Sequence, residues 1–209
     1  ENNPIGLRTD VAITGEDLRL VTIVPNNTNR DVFHVRRGCL IENLSFAGAT
    51  IQTNHPRCGA VAFPPIQESV DSGLDFQSIS GYTPLGPANE GKDGRWRSPY
   101  VRNCTNFMTG SIGMKINGDH ANAAYTGTND GGQDLKSMVC DSFTQYNEAG
   151  IGVSISNNGY AQLVSIFTIG CEIGIGVSSG GQCDLTNSNS SFGIKGLVAD
   201  GFGDIEFTG

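Results

Sequence analysis

Residues 148–153 read Glu-Ala-Gly-Ile-Gly-Val, and residues 172–177 repeat them as Glu-Ile-Gly-Ile-Gly-Val. A looser copy, Ser-Ile-Gly-Met, lies upstream at residues 111–114. Repetition with a period of about 20 to 50 residues is typical of solenoids, in which each unit buries its apolar face against its neighbours. The repeat therefore predicts a solenoid.

Each copy follows a segment that ends in Phe, at residues 101–107, 137–143 and 161–167. Aligning these segments on their final ring predicts that equivalent side chains stack in columns along the molecule. The predicted columns are Phe107, Phe143 and Phe167; Cys104, Cys140 and Val164; and, pointing the other way, Thr105, Asp141 and Ser165, with Asn187 near the last.

The composition favours strands over helices. The chain has 29 glycines in 209 residues and only 16% charged residues, and Gly, Asn, Ser and β-branched residues disfavour helix interiors. Strands separated by Gly and Asn turns, with about 20 to 25 residues per coil, predict an all-β fold, a right-handed parallel β-helix. A leucine-rich repeat has a similar period, but its asparagine-and-leucine signature is absent.

The uneven spacing of the copies indicates where the coils are interrupted. We predict one elongated domain, with a β-rich lead-in over residues 1–37 and a parallel β-helix over residues 38–209. Irregular insertions are expected at about 47–99 and 117–135, where loop-forming residues are frequent. Long loops on a rigid scaffold are common sites of specific contacts. The missing initiator Met indicates a processed form or a fragment.

Charge and cysteine content narrow the partners and the compartment. A net charge of -8 disfavours nucleic acid as a partner, and without a long apolar run or a signal-peptide pattern we expect no membrane insertion. The six cysteines form no CxxC pair, and three of them lie in short apolar runs. We expect reduced, buried cysteines and folding in a cytoplasm.

Residues 136–201 resemble a module of virion structural proteins from large tailed phages of marine cyanobacteria. The resemblance rests on residues 136–147, 160–169 and 180–193 and extends to 100–107 and less clearly to 40–48; residues 1–37 and 50–99 fall outside it. It implies a component of the tail, baseplate or fibre with a β-helical fold, located in the virion and assembled in the host cytoplasm. It carries no catalytic motif over to this chain.

Glu148 and Glu172 are the strongest candidates for catalysis. Their equivalent places in the two copies of the repeat predict that they lie one above the other on adjacent coils, whose strands are about 4.8 Å apart. Retaining glycosidases hold their two carboxyl groups about 5 to 5.5 Å apart. Both residues also precede a turn, where a solvated acid is common, and we favour this structural interpretation.

Two further clusters lie in the insertions. Arg95, Trp96 and Arg97 could stack on and clamp a glycan, but these residue types also anchor subunit interfaces, which we favour. In the second insertion the oxygen-rich set could bind Ca²⁺, yet its spacing matches no known calcium loop: Asp119, His120, Asp130 and Asp134. The three histidines are scattered, so we predict no metal site and no cofactor.

Three functions follow from these patterns. The first is a non-enzymatic virion structural protein, with other virion proteins and further copies of itself as partners, a trimer being one arrangement. The second is a tailspike-like polysaccharide hydrolase or lyase. The third is a module in which residues 47–99, with Trp96, bind a host-surface glycan.

Overall fold

The computed structural model describes residues 5–7, 11–26, 32–35, 39–47, 59–62, 99–117, 137–156 and 159–201. Within these ranges the regular structure consists of β-strands without a helix, which confirms the all-β prediction. The strands are β1 Ile5–Gly6, β2 Ala12–Thr14, β3 Thr22–Ile23, β4 Phe33–His34, β5 Leu40–Glu42, β6 Ser45–Phe46, β7 Gly59–Ala62, β8 Tyr100–Asn106, β9 Ile112–Asn117, β10 Ser137–Tyr146, β11 Ile151–Ser156, β12 Tyr160–Val164, β13 Phe167–Ile169, β14 Ile173–Ser178, β15 Gln182–Thr186, β16 Asn189–Ser191 and β17 Lys195–Asp200.

The strands form two sheets in which the described pairings are parallel. The seven-stranded sheet has the order β1-β4-β7-β9-β11-β14-β17. The ten-stranded sheet contains β15-β12-β10-β8-β5-β2, with β13, β16, β3 and β6 paired alongside. From β8 onward the chain passes repeatedly from one sheet to the other, with β12 and β13, and likewise β15 and β16, as consecutive strands of the ten-stranded sheet. Neighbouring strands in one sheet therefore belong to successive passages of the chain.

The strands of residues 1–37 belong to these same sheets. β1 pairs with β4, β2 with β5 and β3 with β6, all in parallel. Of the first predicted insertion, residues 48–58 and 63–98 lie outside the described residues, and β7 between them pairs with β4 and β9. Of the second, residues 118–135 lie outside the described residues.

The repeat pairs in a different register from the one predicted. Ile151 lies beside Ile173, whereas the two copies of the repeat align Ile151 with Ile175. The upstream copy pairs as expected, with Ile112 beside Ile151. Side chains alternate between the two faces of a strand, so this register shift of two residues, from Ile175 to Ile173, keeps each side chain on its predicted face.

The predicted aromatic column is wrong. Phe143 lies beside Cys104, Phe167 lies beside Thr144, and the ring that stacks on Phe107 is that of Tyr146. Phe143 is fully buried, whereas Phe107 and Phe167 are 48% and 40% exposed. Cys104 pairs with Phe143 and not with the predicted Cys140. Cys140 and Phe143 are three positions apart and both fully buried, so the strand does not alternate regularly between its two faces here.

Residues with left-handed backbone in the ten-stranded sheet explain this error. From β5 onward, each passage of the ten-stranded sheet contains one non-glycine residue with positive φ, and this residue resets the alternation of the strand: Asn43 (57°), Asn103 (48°), Ser142 (58°), Ser165 (53°) and Asn187 (48°). Asn tolerates this conformation better than most residues. Asn103 Nδ2 donates to Asn43 Oδ1 at 2.7 Å, and Asn187 Nδ2 donates to Ser165 Oγ at 3.2 Å. Asp141 therefore lies beside Val164, and the prediction that it stacks on Ser165 is wrong.

The core lies between the two sheets. Its largest fully buried side chains include Phe46 and Phe143, whose ring centroids are 6.5 Å apart, and Met114 from the facing sheet. Burying a side chain of this size contributes about 1.5 to 3 kcal/mol. Apolar side chains from both sheets form one cluster, which stabilises the sheets against each other.

The glycines of the repeat lie in tight contact with the neighbouring strand and with the facing sheet. A Cβ atom added at Gly152 would lie 2.5 Å from the Gly174 carbonyl oxygen and 2.6 Å from Thr168 Cγ2. One added at Gly174 would lie 2.6 Å from the carbonyl oxygen of Gly196 and from Thr168 Oγ1. The Ile-Gly-Val pattern thus reflects the absence of space for a side chain at these positions.

Candidate functional site

The two candidate catalytic glutamates lie in exposed turns. The Glu172 N–H donates to the Gly150 carbonyl oxygen at 2.9 Å, so Glu172 is aligned with Gly150 and not with Glu148. The Glu148 carbonyl oxygen accepts a hydrogen bond from the Gly110 N–H at 2.8 Å. Because the strands after these turns are not paired in the register of the repeat, Glu148 and Glu172 occupy different positions in their turns.

The other predicted clusters lie outside the described residues. These are the Arg95, Trp96 and Arg97 group and the set of Asp119, His120, Asp130 and Asp134. Within the described ranges, no three His, Cys, Asp or Glu side chains are close enough together to hold a metal ion. The same part of the chain contains no helix of the length and hydropathy needed to cross a membrane.

A charged row crosses the outer face of the ten-stranded sheet. Thr14 Oγ1 donates to Glu42 Oε1 at 3.2 Å, and Arg102 Nε donates to Glu42 Oε2 at 2.9 Å. The Glu42 carboxylate raises the pKa of the Arg102 guanidinium through this hydrogen bond. Asp141 follows Arg102 on the next strand. The row therefore alternates in charge, as expected for side chains that stabilise a stack of strands.

Two Tyr–Asp contacts repeat the same geometry. Tyr100 pairs with Val139 of β10 and contacts Asp141, two positions further along β10. Tyr160 pairs with Gln182 of β15, and its hydroxyl donates to Asp184, two positions further along β15. Burial is the main cause that raises the pKa of the Tyr100 phenol, and the negative charge of Asp141 raises it further. The hydrogen bond to Asp184 raises the pKa of Tyr160. Both carboxylates thus accept hydrogen bonds from neighbouring strands.

Cys104, Cys140, Cys171 and Cys183 are free thiols, as the sequence predicted for them. Cys39, Cys104, Cys140 and Cys171 are buried and Cys183 is half-buried, while Cys58 lies outside the described residues. Burial raises the pKa of the Cys104 thiol to about 12 and raises the pKa of Cys140 and Cys171 as well. Since the thiolate is the reactive form, these buried side chains are suited to packing and not to nucleophilic catalysis.

A groove of about 570 Å³ lies on the outer face of the ten-stranded sheet. Its floor is a column of short hydroxyl side chains, Thr22, Ser45, Thr105 and Thr144, which pair successively across β3, β6, β8 and β10. They alternate with buried residues that point into the core, so the column points outward.

One wall of the groove is aromatic. Phe107 directly follows β8 and Tyr146 ends β10, each two positions after a floor residue. Their ring centroids are 5.3 Å apart, with planes inclined by 7°. Phe107 is 48% exposed and Tyr146 46% exposed. Phe46 pairs with Asn106, so Ala47, the residue after Phe46, occupies the next position of this column, and both Ala47 and Phe107 line the groove.

The opposite wall is the turn that follows β2. The Gly15 N–H donates to the Glu42 carbonyl oxygen and the Ser45 N–H donates to the Val21 carbonyl oxygen, so residues 16–20 project at the corner. Ser45 Oγ donates to the Leu18 carbonyl oxygen at 2.7 Å, which fixes the turn above the floor. Leu18 and Arg19 line this side, and among the described residues that line the groove Arg19 is the one that is charged.

Comparison of the chain with protein-family models, with curated proteins and with solved structures gives no match. The residues that line the groove therefore indicate its chemical character. Hydroxyl groups, an aromatic wall and one guanidinium provide surfaces for binding, whereas acid–base catalysis requires titratable groups placed at the ligand.

The sequence interpretation missed this groove. Its signal is the recurrence of a hydroxyl residue, an amide residue and an aromatic residue, at 105–107 and again at 144–146. Aligning Phe107 with Phe143 concealed the recurrence, because the residue that corresponds to Phe107 on the next strand is Tyr146.

Proposed function

We propose that this chain is a non-enzymatic structural protein of a tailed-phage virion, a segment of the tail, baseplate or fibre. We also propose that its strands wind as a right-handed parallel β-helix with irregular loop insertions. The observation that carries the proposal is the continuous parallel register, which extends through both sheets from the first strands to the last. The resemblance of residues 136–201 to cyanophage virion proteins supports the location.

The register supports this winding in detail. From Tyr146 onward, the sequence separation between paired residues is nearly constant in both sheets. Examples are the pairs of Tyr146 with Ile169 and of Ile173 with Lys195. Parallel strands joined by crossovers are right-handed in about 98% of cases. Such a stack hides strand edges between successive coils and needs no cofactor, which suits a rigid particle component.

The contacts of the acidic residues agree better with a structural role than with glycosidase or lyase activity. Glu172 is aligned with Gly150, while Asp141 and Asp184 contact tyrosines on neighbouring strands. A retaining glycosidase needs two carboxyl groups about 5 to 5.5 Å apart, facing a bound sugar. Hydrogen bonds to neighbouring strands explain the positions of Asp141 and Asp184 without a catalytic role.

The last described strands support assembly with further protein. Leu185 and Leu197 are 45% and 59% exposed, although their partners in the preceding passage, Leu163 and Ile175, are 0% and 4% exposed. Apolar side chains exposed on these last described strands favour contact with further protein. We therefore propose other virion proteins and further copies of this chain, a trimer being one arrangement, as its partners.

Crosslinking mass spectrometry on purified particles of the encoding phage tests location and partners together. The expected result is that peptides of this chain copurify with the particle and crosslink to tail proteins or to a second copy. The major capsid protein serves as the positive control and a phage replication protein as the negative control. Abundant chain in infected cells but none in purified particles would reject the proposal.

A further inference from the structure

We propose that the groove on the outer face of the ten-stranded sheet binds a neutral polysaccharide. In this arrangement a pyranose ring lies on the face of Phe107 that is turned away from Tyr146, in the space beside Ala47. The inference depends on the chemistry of the groove alone and is independent of whether the chain belongs to a virion.

The aromatic column provides the stacking surface. The Phe107 and Tyr146 centroids are 5.3 Å apart and the rings are nearly parallel, so each ring has one face covered by the other. Adjacent strands are about 4.8 Å apart, so the ring faces point along the direction in which strands stack. The position that would hold a third ring is occupied by Ala47. A sugar ring, with an apolar C–H face, can extend this aromatic stack.

The floor provides hydrogen bonds to match. The hydroxyl groups of Thr22, Thr105 and Thr144 line the groove on different strands, and each can both donate and accept. Sugar hydroxyls have the same dual capacity. The floor residues on successive strands span about 14 Å. The groove volume of about 570 Å³ lies within the range of small-ligand sites. The groove therefore fits a short stretch of a chain along the stacking direction.

Charge favours a neutral polymer over an acidic one. The chain carries a net charge of -8, which repels polyanions on approach. Arg19, the charged residue of the lining, offers several N–H donors that can bond to neutral sugar oxygens as well as to carboxylates. One guanidinium does not offset the charge of the whole chain, so we commit to a neutral glycan.

Affinity electrophoresis in native gels tests this inference. The full chain is run through gels that contain dextran, galactomannan or laminarin, and through gels that contain alginate as the acidic polymer. We expect retardation by at least one neutral polysaccharide. Phe107→Ala should weaken the apparent affinity about tenfold, because it removes the stacking surface. Ala47→Leu should weaken it similarly, because a larger side chain fills the space beside an unchanged Phe107.

Phe192→Ala is the matched control. Phe192 is 93% exposed in a turn that does not line the groove, so its loss should leave retardation unchanged. Circular dichroism of each variant establishes that the fold is retained. Equal retardation of the unmodified chain, Phe107→Ala and Ala47→Leu would overturn the proposal. So would retardation by alginate alone, or by none of the four polymers.

Discussion

The hydrogen bonds of individual buried polar residues determine how the interior tolerates their substitution. Asn106 Nδ2 donates to Ser111 Oγ and to Gln145 Oε1, both at 2.9 Å, and Asn106 Oδ1 accepts from the Met108 N–H at 3.0 Å. Further along the same inner face, Gln145 Nε2 and Thr168 Oγ1 have no hydrogen-bond partner among the described residues. Neighbouring positions in one row thus make opposite contributions to stability.

Thr168→Val should stabilise the protein by about 1 to 2 kcal/mol. Val has nearly the same shape as Thr, and the change removes a buried hydroxyl that lacks a partner among the described residues. Asn106→Leu is the contrasting variant and should destabilise by about 1 to 3 kcal/mol, since it leaves its polar partners unbonded. Urea unfolding followed by circular dichroism measures both free energies. A loss of more than about 1 kcal/mol in Thr168→Val would contradict this account.

At the scale of elements, the sequence predicted strands and turns better than it predicted register. The Ile-Gly-Val copies are strands, and the upstream copy pairs as expected. The later repeat failed as a register because Ile173 and Ile175 are both apolar, and either can lie beside Ile151 on one core face. A corner residue such as Ser142, left-handed without being Gly, gives little local signal, yet it determines which face Phe143 occupies.

The glycines of β14 should differ sharply in their tolerance of Ala. Gly174→Ala should cost about 1 to 3 kcal/mol, because overpacking a tight site strains its neighbours. Its Cβ would lie 2.6 Å from the Gly196 carbonyl oxygen, and backbone on that side cannot move freely. Gly176→Ala, on the same strand, has its nearest contact at 3.6 Å. It should be neutral or stabilising by up to about 1 kcal/mol.

Thermal and urea unfolding of the two variants, side by side with the unmodified chain, provide the measurement. Because both substitutions add one methyl group to one strand, differences in β propensity and in the unfolded state largely cancel. Equal stability of Gly174→Ala and Gly176→Ala would show that the close approach of the sheets does not determine the repeat.

For the molecule as a whole, composition and period were sufficient to predict an all-β chain with parallel strands. The groove could not be predicted in the same way, because it combines β3, β6, β8 and β10 with the turn at residues 16–20. Its residues come from separate passages of the chain, and segments of unequal length between these passages make their spacing irregular. A site of this kind becomes visible only after the register is known.

The raised thiol pKa values predict that the whole molecule loses stability in alkaline solution. Burial raises the pKa of Cys104 to about 12, so above about pH 9 this thiol ionises in the unfolded chain while it stays protonated in the folded one. The unfolded state then binds fewer protons, and the free energy of unfolding falls by about 1.4 kcal/mol per pH unit for each such thiol. Urea unfolding under reducing conditions from about pH 8 to 11 measures this slope. Cys104→Ala should make the slope shallower by up to one thiol's contribution, whatever its stability at the lowest pH, and parallel slopes for the two proteins would contradict the prediction.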